Sequence, residues 1–190
     1  MRMKTLALLL SAGHGSRFGA ARPKQFLPLL GRPVLRHAAE ALLAEGLITT
    51  LQPVAPAGEE AFVASLLEGL PCLPVVAGGA TREDSVRAGL EAIAAEAPDF
   101  VLVHDAARPV IPRGTIPALL TALEAHAGAI PAQPVADTLK RVSGGVIETT
   151  VPREGLFRAQ TPQAFRFEAL RAAHAARVGA VTDDASLLEA

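Results

Sequence analysis

The chain has no asparagine, tryptophan or tyrosine, a single cysteine, and no Asp or Glu in its first 39 residues. Each scarcity excludes something. One thiol, Cys72, cannot build a disulfide framework and suits a reducing compartment, so the expected setting is the cytoplasm. Lying among Pro and Leu, it reads as a small core residue. No apolar run approaches the ~20 residues of a membrane span, so no membrane partner is expected. The apolar stretch from Thr5 to Leu10 runs straight into Ser, Gly, His and Arg, which fits a buried strand better than a secretion signal. Fifteen arginines against three lysines, with asparagine missing, fit a thermophile and a GC-rich genome equally. The acid-free opening holds seven basic residues (Arg2, Lys4, Arg17, Arg22, Lys24, Arg32, Arg36) in a chain of net charge −1. That asymmetry points to a small anionic ligand and away from nucleic acid. At 190 residues, half of them hydrophobic and 19% charged, the chain fits one globular domain over 1–190.

What is present begins with Ser11-Ala12-Gly13-His14-Gly15-Ser16-Arg17-Phe18-Gly19, followed by Pro23-Lys24-Gln25. A glycine-rich loop after an apolar run offers unobstructed backbone N–H groups to phosphate oxygens. Gly13 and Gly15 permit close approach, and Arg17 and Lys24 can reach over bound phosphates. An ordinary strand-to-helix turn with solvated basic residues would look similar on glycines alone. The loop is not a Walker A motif, for no Gly-Lys-Ser/Thr follows. It is not a dinucleotide fingerprint either, because the spacing is G-x-G-x-x-x-G and no ribose-binding acid follows about 20 residues on.

Further along, apolar runs alternate with helical patterns. Expected strands are 5–10, 48–54, 73–77, 100–104 and 129–135. Expected helices are 33–45, 58–68, 81–95 (capped by Thr81) and 112–126. Continuous apolar strands between helices predict a three-layer α/β fold of Rossmann-like type with a mostly parallel sheet. Ligands in such folds gather at the carboxyl ends of strands. The glycine loop, Gly78-Gly79 and Asp105 all fall there. Residues 136–153 break the pattern and read as a β-hairpin arm turning at Gly144-Gly145. A lone hairpin is marginal in water, so it packs either on its own domain or on a second subunit.

Four segments stand in order: Ser11 to Arg17 with Pro23-Lys24-Gln25; Gly78-Gly79-Ala80-Thr81-Arg82-Glu83-Asp84-Ser85-Val86; Val103-His104-Asp105-Ala106-Ala107-Arg108-Pro109; and Gln160-Thr161-Pro162-Gln163-Ala164-Phe165. Asp137-Thr138 and Thr182-Asp183-Asp184-Ala185-Ser186 accompany them. This set closely resembles the 2-C-methyl-D-erythritol 4-phosphate cytidylyltransferase family, from about Lys4 to Glu189. The resemblance implies a nucleotidyltransferase fold and Mg²⁺-dependent transfer of a cytidylyl group from CTP to methylerythritol phosphate in non-mevalonate isoprenoid synthesis. It also implies a homodimer whose arm completes the neighbour's site.

The resemblance assigns Arg17 and Lys24 to transition-state charge, with the loop at Ser11, Ala12, Gly13 and Gly15 holding CTP. Gly79 and Ser85 match cytosine contacts, although Ser85 alone could equally be a polar residue of a helix's first turn. Asp105 matches a residue at the junction of ribose, metal and sugar alcohol; alone it could be a cap. Arg108, Thr138, Arg153 and Thr161 match residues associated with the methylerythritol phosphate, Arg153 positioning its phosphate for attack. Thr182, Asp183 and Asp184 fit a cap on a short helix. His104 reads as loop support rather than a metal ligand, and His14 as incidental. Family members continue into a further strand and basic segment, so a carboxyl-terminal portion is expected beyond Ala190. The rival readings are a ribitol 5-phosphate cytidylyltransferase and a noncatalytic nucleotide-binding regulator.

Overall fold

Leu6, Ala7, Leu8 and Leu9 are each at most 1% exposed, which is possible only where a strand is covered on both faces. They belong to β1 (Thr5–Leu10), the axis of the computed structural model, which describes residues 3–13, 22–176 and 183–189. After β1 come β2 (Pro28–Leu29), β3 (Arg32–Pro33), α1 (Val34–Leu43), β4 (Thr50–Ala55), α2 (Glu60–Leu66), β5 (Val76–Ala77), α3 (Arg82–Ala92) and β6 (Phe100–Asp105). The remainder comprises α4 (Thr115–Ala122), β7 (Gly128–Ala129), β8 (Ala132–Pro134), β9 (Leu139–Ser143), β10 (Val146–Val151), β11 (Phe157–Ala159), β12 (Gln163–Arg166) and α5 (Phe167–Ala176).

The main sheet runs β5-β4-β1-β6-β12-β7. Its first four strands are parallel, and β12 is antiparallel to both β6 and β7. Strand alternation sends Ala7, Leu9 and Leu102 to one face, against Leu35 and Leu42 of α1, Val63 of α2 and Leu119 of α4. It sends Leu6, Leu8, Val101, Val103 and Phe165 to the other, against Val86 and Leu90 of α3 and Leu170 of α5. The expected three-layer, mostly parallel architecture is what forms. No helix among the described residues is long and apolar enough to cross a membrane.

Several expected boundaries shift for local reasons. The strand expected over 73–77 pairs only at Val76–Ala77, with an isolated bridge from Cys72 to Leu51. Pro74 has no N–H for a ladder, and its carbonyl is taken instead by Gln52 Nε2 at 2.9 Å. The helix expected from Pro112 starts only at Thr115, after Gly114 turns the chain at φ 80°. The strand expected over 129–135 splits at Pro131, β7 joining β12 and β8 joining β11. Strand β12 was hidden in a polar motif, because Gln163-Ala-Phe-Arg lacks an apolar run.

The hairpin forms as expected, β9 and β10 pairing across Gly144 (φ 55°) and Gly145 (φ 82°). Two positive φ values in a two-residue turn match the twist of paired strands, and glycine adopts them without strain.

Candidate active site

Parallel strands end together, and the loops leaving β1, β5 and β6 part to leave a cleft of about 620 Å³. Ala12, Gly13, Lys24, Gly79, Ser85, Asp105 and Arg108 line it, so seven of the sequence-predicted residues converge there. Gly15 and Arg17 lie outside the described residues.

The loop after β1 is fastened from below. Ser11 donates to Val54 O through both its backbone N–H (2.9 Å) and its hydroxyl (2.8 Å), and is 1% exposed. Its side chain therefore anchors the loop and does not line the cleft. A second anchor escaped the sequence reading: Gln25 is buried, and its Nε2 donates to Ser11 O at 2.7 Å and Gly13 O at 2.9 Å. Gln25 lies in the 3₁₀ turn Lys24–Phe26, whose Phe26 is pinned edge-on against Phe62 at 5.3 Å. One amide thus ties the glycine loop to the turn carrying Lys24. Its only signal in the sequence was adjacency to that lysine.

On the opposite wall, the Gly78-Gly79 pair is needed for close approach. A Cβ on Gly78 would sit 2.6 Å from Ala12 Cβ and 2.7 Å from Ser85 Oγ; one on Gly79 would overlap Asp84 Cβ. Thr81 caps α3 as expected, its hydroxyl accepting from Asp84 N–H at 3.1 Å. Ser85 Oγ donates to Thr81 O at 2.9 Å and accepts from Gly79 N–H at 3.2 Å. One acceptor lone pair remains on that hydroxyl.

The floor is Asp105, which faces two arginines. Arg108 Nε lies 3.0 Å from Oδ2 and Arg82 Nε lies 3.6 Å from Oδ1. Arg108 Nη1 also donates to Gln160 Oε1 at 2.9 Å. Behind them His104 is fully buried, and burial pushes its pKa down to about 4 against the pull of the Arg108 carbonyl and Asp105. Its Nε2 lies 2.9 Å from Arg108 O, an acceptor, so Nε2 carries the proton. Nδ1 then accepts from the Thr161 hydroxyl at 3.0 Å, and Thr161 Oγ1 accepts from Asp105 N–H at 3.4 Å. His104 supports the loop, as its sequence position suggested. Thr161 is held in the same chain of bonds and does not line the cleft.

Arg82, whose motif gave it no role in the sequence, links the floor to the interior. Its Nη1 reaches the buried Asp184 at 2.5 Å, and His174 Nε2 meets the other Asp184 oxygen at 3.1 Å. Burial alone would raise the Asp184 carboxyl, but His174 and Arg82 outweigh it and hold the pKa below the usual value. The capping expectation for this motif holds for Asp183, which accepts from Ser186 N–H at 3.1 Å. It fails for Asp184, which turns inward. Thr182 lies outside the described residues, as does His14. Thr138 and Arg153 stand at the base of the hairpin arm, Arg153 donating to Ala136 O, and neither lines the cleft.

Asp105 is the one carboxylate lining the cleft among the described residues, and no group of three or more His, Cys, Asp or Glu among them could hold a metal ion. Mg²⁺ is held elsewhere by one or two carboxylates plus substrate phosphates. The donor set here fits a cation that arrives with a triphosphate and does not fit a resident one.

A family model described as "IspD: 2-C-methyl-D-erythritol 4-phosphate cytidylyltransferase" matches residues 5–190. The chain belongs to this cytidylyltransferase family. It is 57% identical over 187 residues to "Bifunctional enzyme IspD/IspF" of Granulibacter bethesdensis, covering 98% of this chain and 48% of that protein. The chain thus spans about half the length of such bifunctional relatives. It is 46% identical over 191 residues to the 2-C-methyl-D-erythritol 4-phosphate cytidylyltransferase of Cereibacter sphaeroides strain KD131, covering 99% of this chain and 84% of that protein. The crystal structure of the enzyme so named from Thermus thermophilus superposes with a TM-score of 0.77 at 34% identity, over 99% of this chain and 83% of that one.

Proposed function

We propose that the protein transfers a cytidylyl group from CTP to 2-C-methyl-D-erythritol 4-phosphate and releases pyrophosphate, in the cytoplasm and as a step of isoprenoid synthesis. The observation that carries this reading is the cleft itself: at the strand ends of a family member, Arg82 and Arg108 face its carboxylate Asp105, and Lys24 lines the same cleft.

The chemistry matches what the cleft contains. The nucleophile is a phosphate monoester oxygen, and a second pKa of about 6 leaves it mostly dianionic at neutral pH, so no general base is required. Its oxygen forms a bond to the α-phosphorus of CTP while the α–β phosphoanhydride bond breaks. The bridging oxygen leaves with the electron pair on pyrophosphate. The remaining demand is to bring two anions together in line and neutralise the charge that builds on the leaving group. Lys24 supplies a fixed charge there, joined by Arg17. The amides at Ala12 and Gly13 present donors to the triphosphate. Asp105, the one carboxylate lining the cleft among the described residues, would hold a Mg²⁺ brought in with CTP, which would shield the phosphate charge. Gly79 leaves room for a base, and the free lone pair of Ser85 can accept from the exocyclic amine of cytosine. Arg108 faces the alcohol phosphate.

The arm extends the reading to a homodimer. Its strands pair only with each other among the described residues, yet expose Val142 (54%), Val146 (69%) and Ile147 (61%). Apolar side chains displayed this way call for a partner surface. A second copy would cover them and bring Thr138 and Arg153 to the neighbouring cleft, Arg153 positioning the attacking phosphate. Pyrophosphate release measured with CTP and either methylerythritol phosphate or ribitol 5-phosphate tests the reaction. Release with ribitol 5-phosphate alone, or CTP binding without turnover of either, would replace it. Sedimentation at micromolar concentration tests the dimer; a fully active monomer would refute it.

A further inference from the structure

We infer that Asp184 and His174, neither of which lines the cleft, are positioning residues for it, acting through Arg82 on Asp105. The kinetic part of this inference rests on the cytidylyl-transfer reading above. The acidic motif near the carboxyl end contributes two adjacent carboxylates with opposite fates. Asp183 caps the 3₁₀ turn Ala185–Leu187, and its Oδ2 accepts from Gln163 Nε2 at 3.1 Å. Asp184 is 0% exposed.

A buried carboxylate loses several kcal/mol of hydration and must recover it from close partners. Here those are Arg82 Nη1 at 2.5 Å and His174 Nε2 at 3.1 Å. Buried ion pairs are often no more stabilising than well-packed apolar side chains of the same volume. Stability alone therefore does not account for a charge at this position; a geometric role does.

The geometry is that of a rigid fork. A guanidinium is planar, so fixing one edge orients the other. Asp184 fixes the Nη1 edge of Arg82, and the Nε edge then faces Asp105 Oδ1 at 3.6 Å. Among the described residues Asp105 has one other cationic contact, Arg108 Nε at 3.0 Å, and Arg108 is tied in turn to Gln160. With Asp184 neutral, Arg82 recovers torsional freedom and Asp105 swings toward Arg108 alone. The floor of the cleft then loses its defined carboxylate. His174, in α5, orients Asp184 in the same way from behind. Three elements distant in sequence thus set one side chain at the site.

The test uses the full-length natural protein with Asp184→Asn, Arg82→Gln, Arg82→Lys, His174→Gln and the Asp184→Asn/Arg82→Gln double variant. Asp184→Asn is expected to lower kcat about tenfold with KM for CTP changed less than about threefold. In the Arg82→Gln background it should add less than about a twofold change, because the two act on one path. Arg82→Lys keeps the charge but as a single point on a flexible stem, without the planar fork that fixes one edge by the other, and should lose as much as Arg82→Gln. Being partly exposed, it keeps the inference falsifiable if Asp184→Asn fails to fold. His174→Gln retains an N–H donor and should keep most of kcat. Independent, multiplying effects of Asp184→Asn and Arg82→Gln would overturn the inference. So would wild-type kcat in Arg82→Lys, or a lowered Tm with unchanged kinetics in Asp184→Asn. If the wild-type protein releases no pyrophosphate, the cytidylyl reading fails separately. A crystal structure of Arg82→Lys and of Asp184→Asn then decides: Asp105 displaced from residue 82 supports the inference, and contact kept within about 4 Å overturns it.

Discussion

Around Asp105, side chains from β6, α3 and the segment before β12 are cross-linked by hydrogen bonds and ion pairs, whereas the hairpin at 139–151 is held by its own ladder and turn. His104 and Ser85, within that cleft network, are 0% and 3% exposed; Val146, on the arm, is 69% exposed. In the first region local bonds such as Ser85 to Thr81 are joined by contacts from distant parts of the chain, Arg108 to Gln160 and Arg82 to Asp184 among them. In the second, register and a Gly-Gly turn do everything. The contrast separates positions where a small change alters chemistry from positions where it alters only what the arm meets.

The largest expected effect lies in the cleft. Lys24→Ala should lower kcat by roughly 10²–10³-fold, the range for removing one stabiliser of transition-state charge, with little change in Tm. A raised KM at unchanged kcat, measured by steady-state kinetics, would move Lys24 from chemistry to binding and weaken the comparison.

Next comes acid sensitivity. The native His104 has a pKa of about 4, below the ~6.5 of an unfolded histidine. Between those values the unfolded chain binds a proton the native state refuses, so stability falls as pH drops from about 6.5 to 4 and levels off below. The shift sets a limit of about 3 kcal/mol on that loss. Urea unfolding across this range, without nucleotide, measures it. His104→Gln should flatten the profile, and an unchanged slope would mean that the burial of His104 is not its source.

Ser85→Ala should relax discrimination between CTP and UTP by about tenfold, the worth of one buried hydrogen bond. Competition kinetics reads this directly, and intact selectivity would remove Ser85 from base recognition. The smallest effect on the fold itself belongs to the arm. Ile147→Asp should change monomer stability by no more than about 0.5 kcal/mol while shifting sedimentation toward the monomer. A clear loss of chemical stability in that variant would show the arm packing on its own domain.

Much of this was legible from the chain. Residues 6–10 and 100–103 are apolar without interruption, as a strand covered on both faces requires, and the segments after them mark the cleft. Gly144-Gly145 between alternating residues announced the hairpin. Prolines misled locally: Pro74 and Pro131 interrupt apolar runs that otherwise read as strands, and what they cost depends on whether the N–H at that place was needed. The polar partners were harder. Gln25 and Arg82 lay in recognised motifs, but nothing in their spacing said which atoms they would face.

By itself the sequence determined the layers, the cleft's location and the family, because periodicity, glycine placement and local motifs are properties of neighbours along the chain. Only the tertiary structure decided that Ser11 points inward, that Thr161 bridges the Asp105 N–H and the His104 ring, and that Asp184 departs from Asp183 to grip Arg82. Those outcomes depend on which side chains are driven into the same low-dielectric space. There every buried donor and charge must find a partner, even one a hundred residues away along the chain.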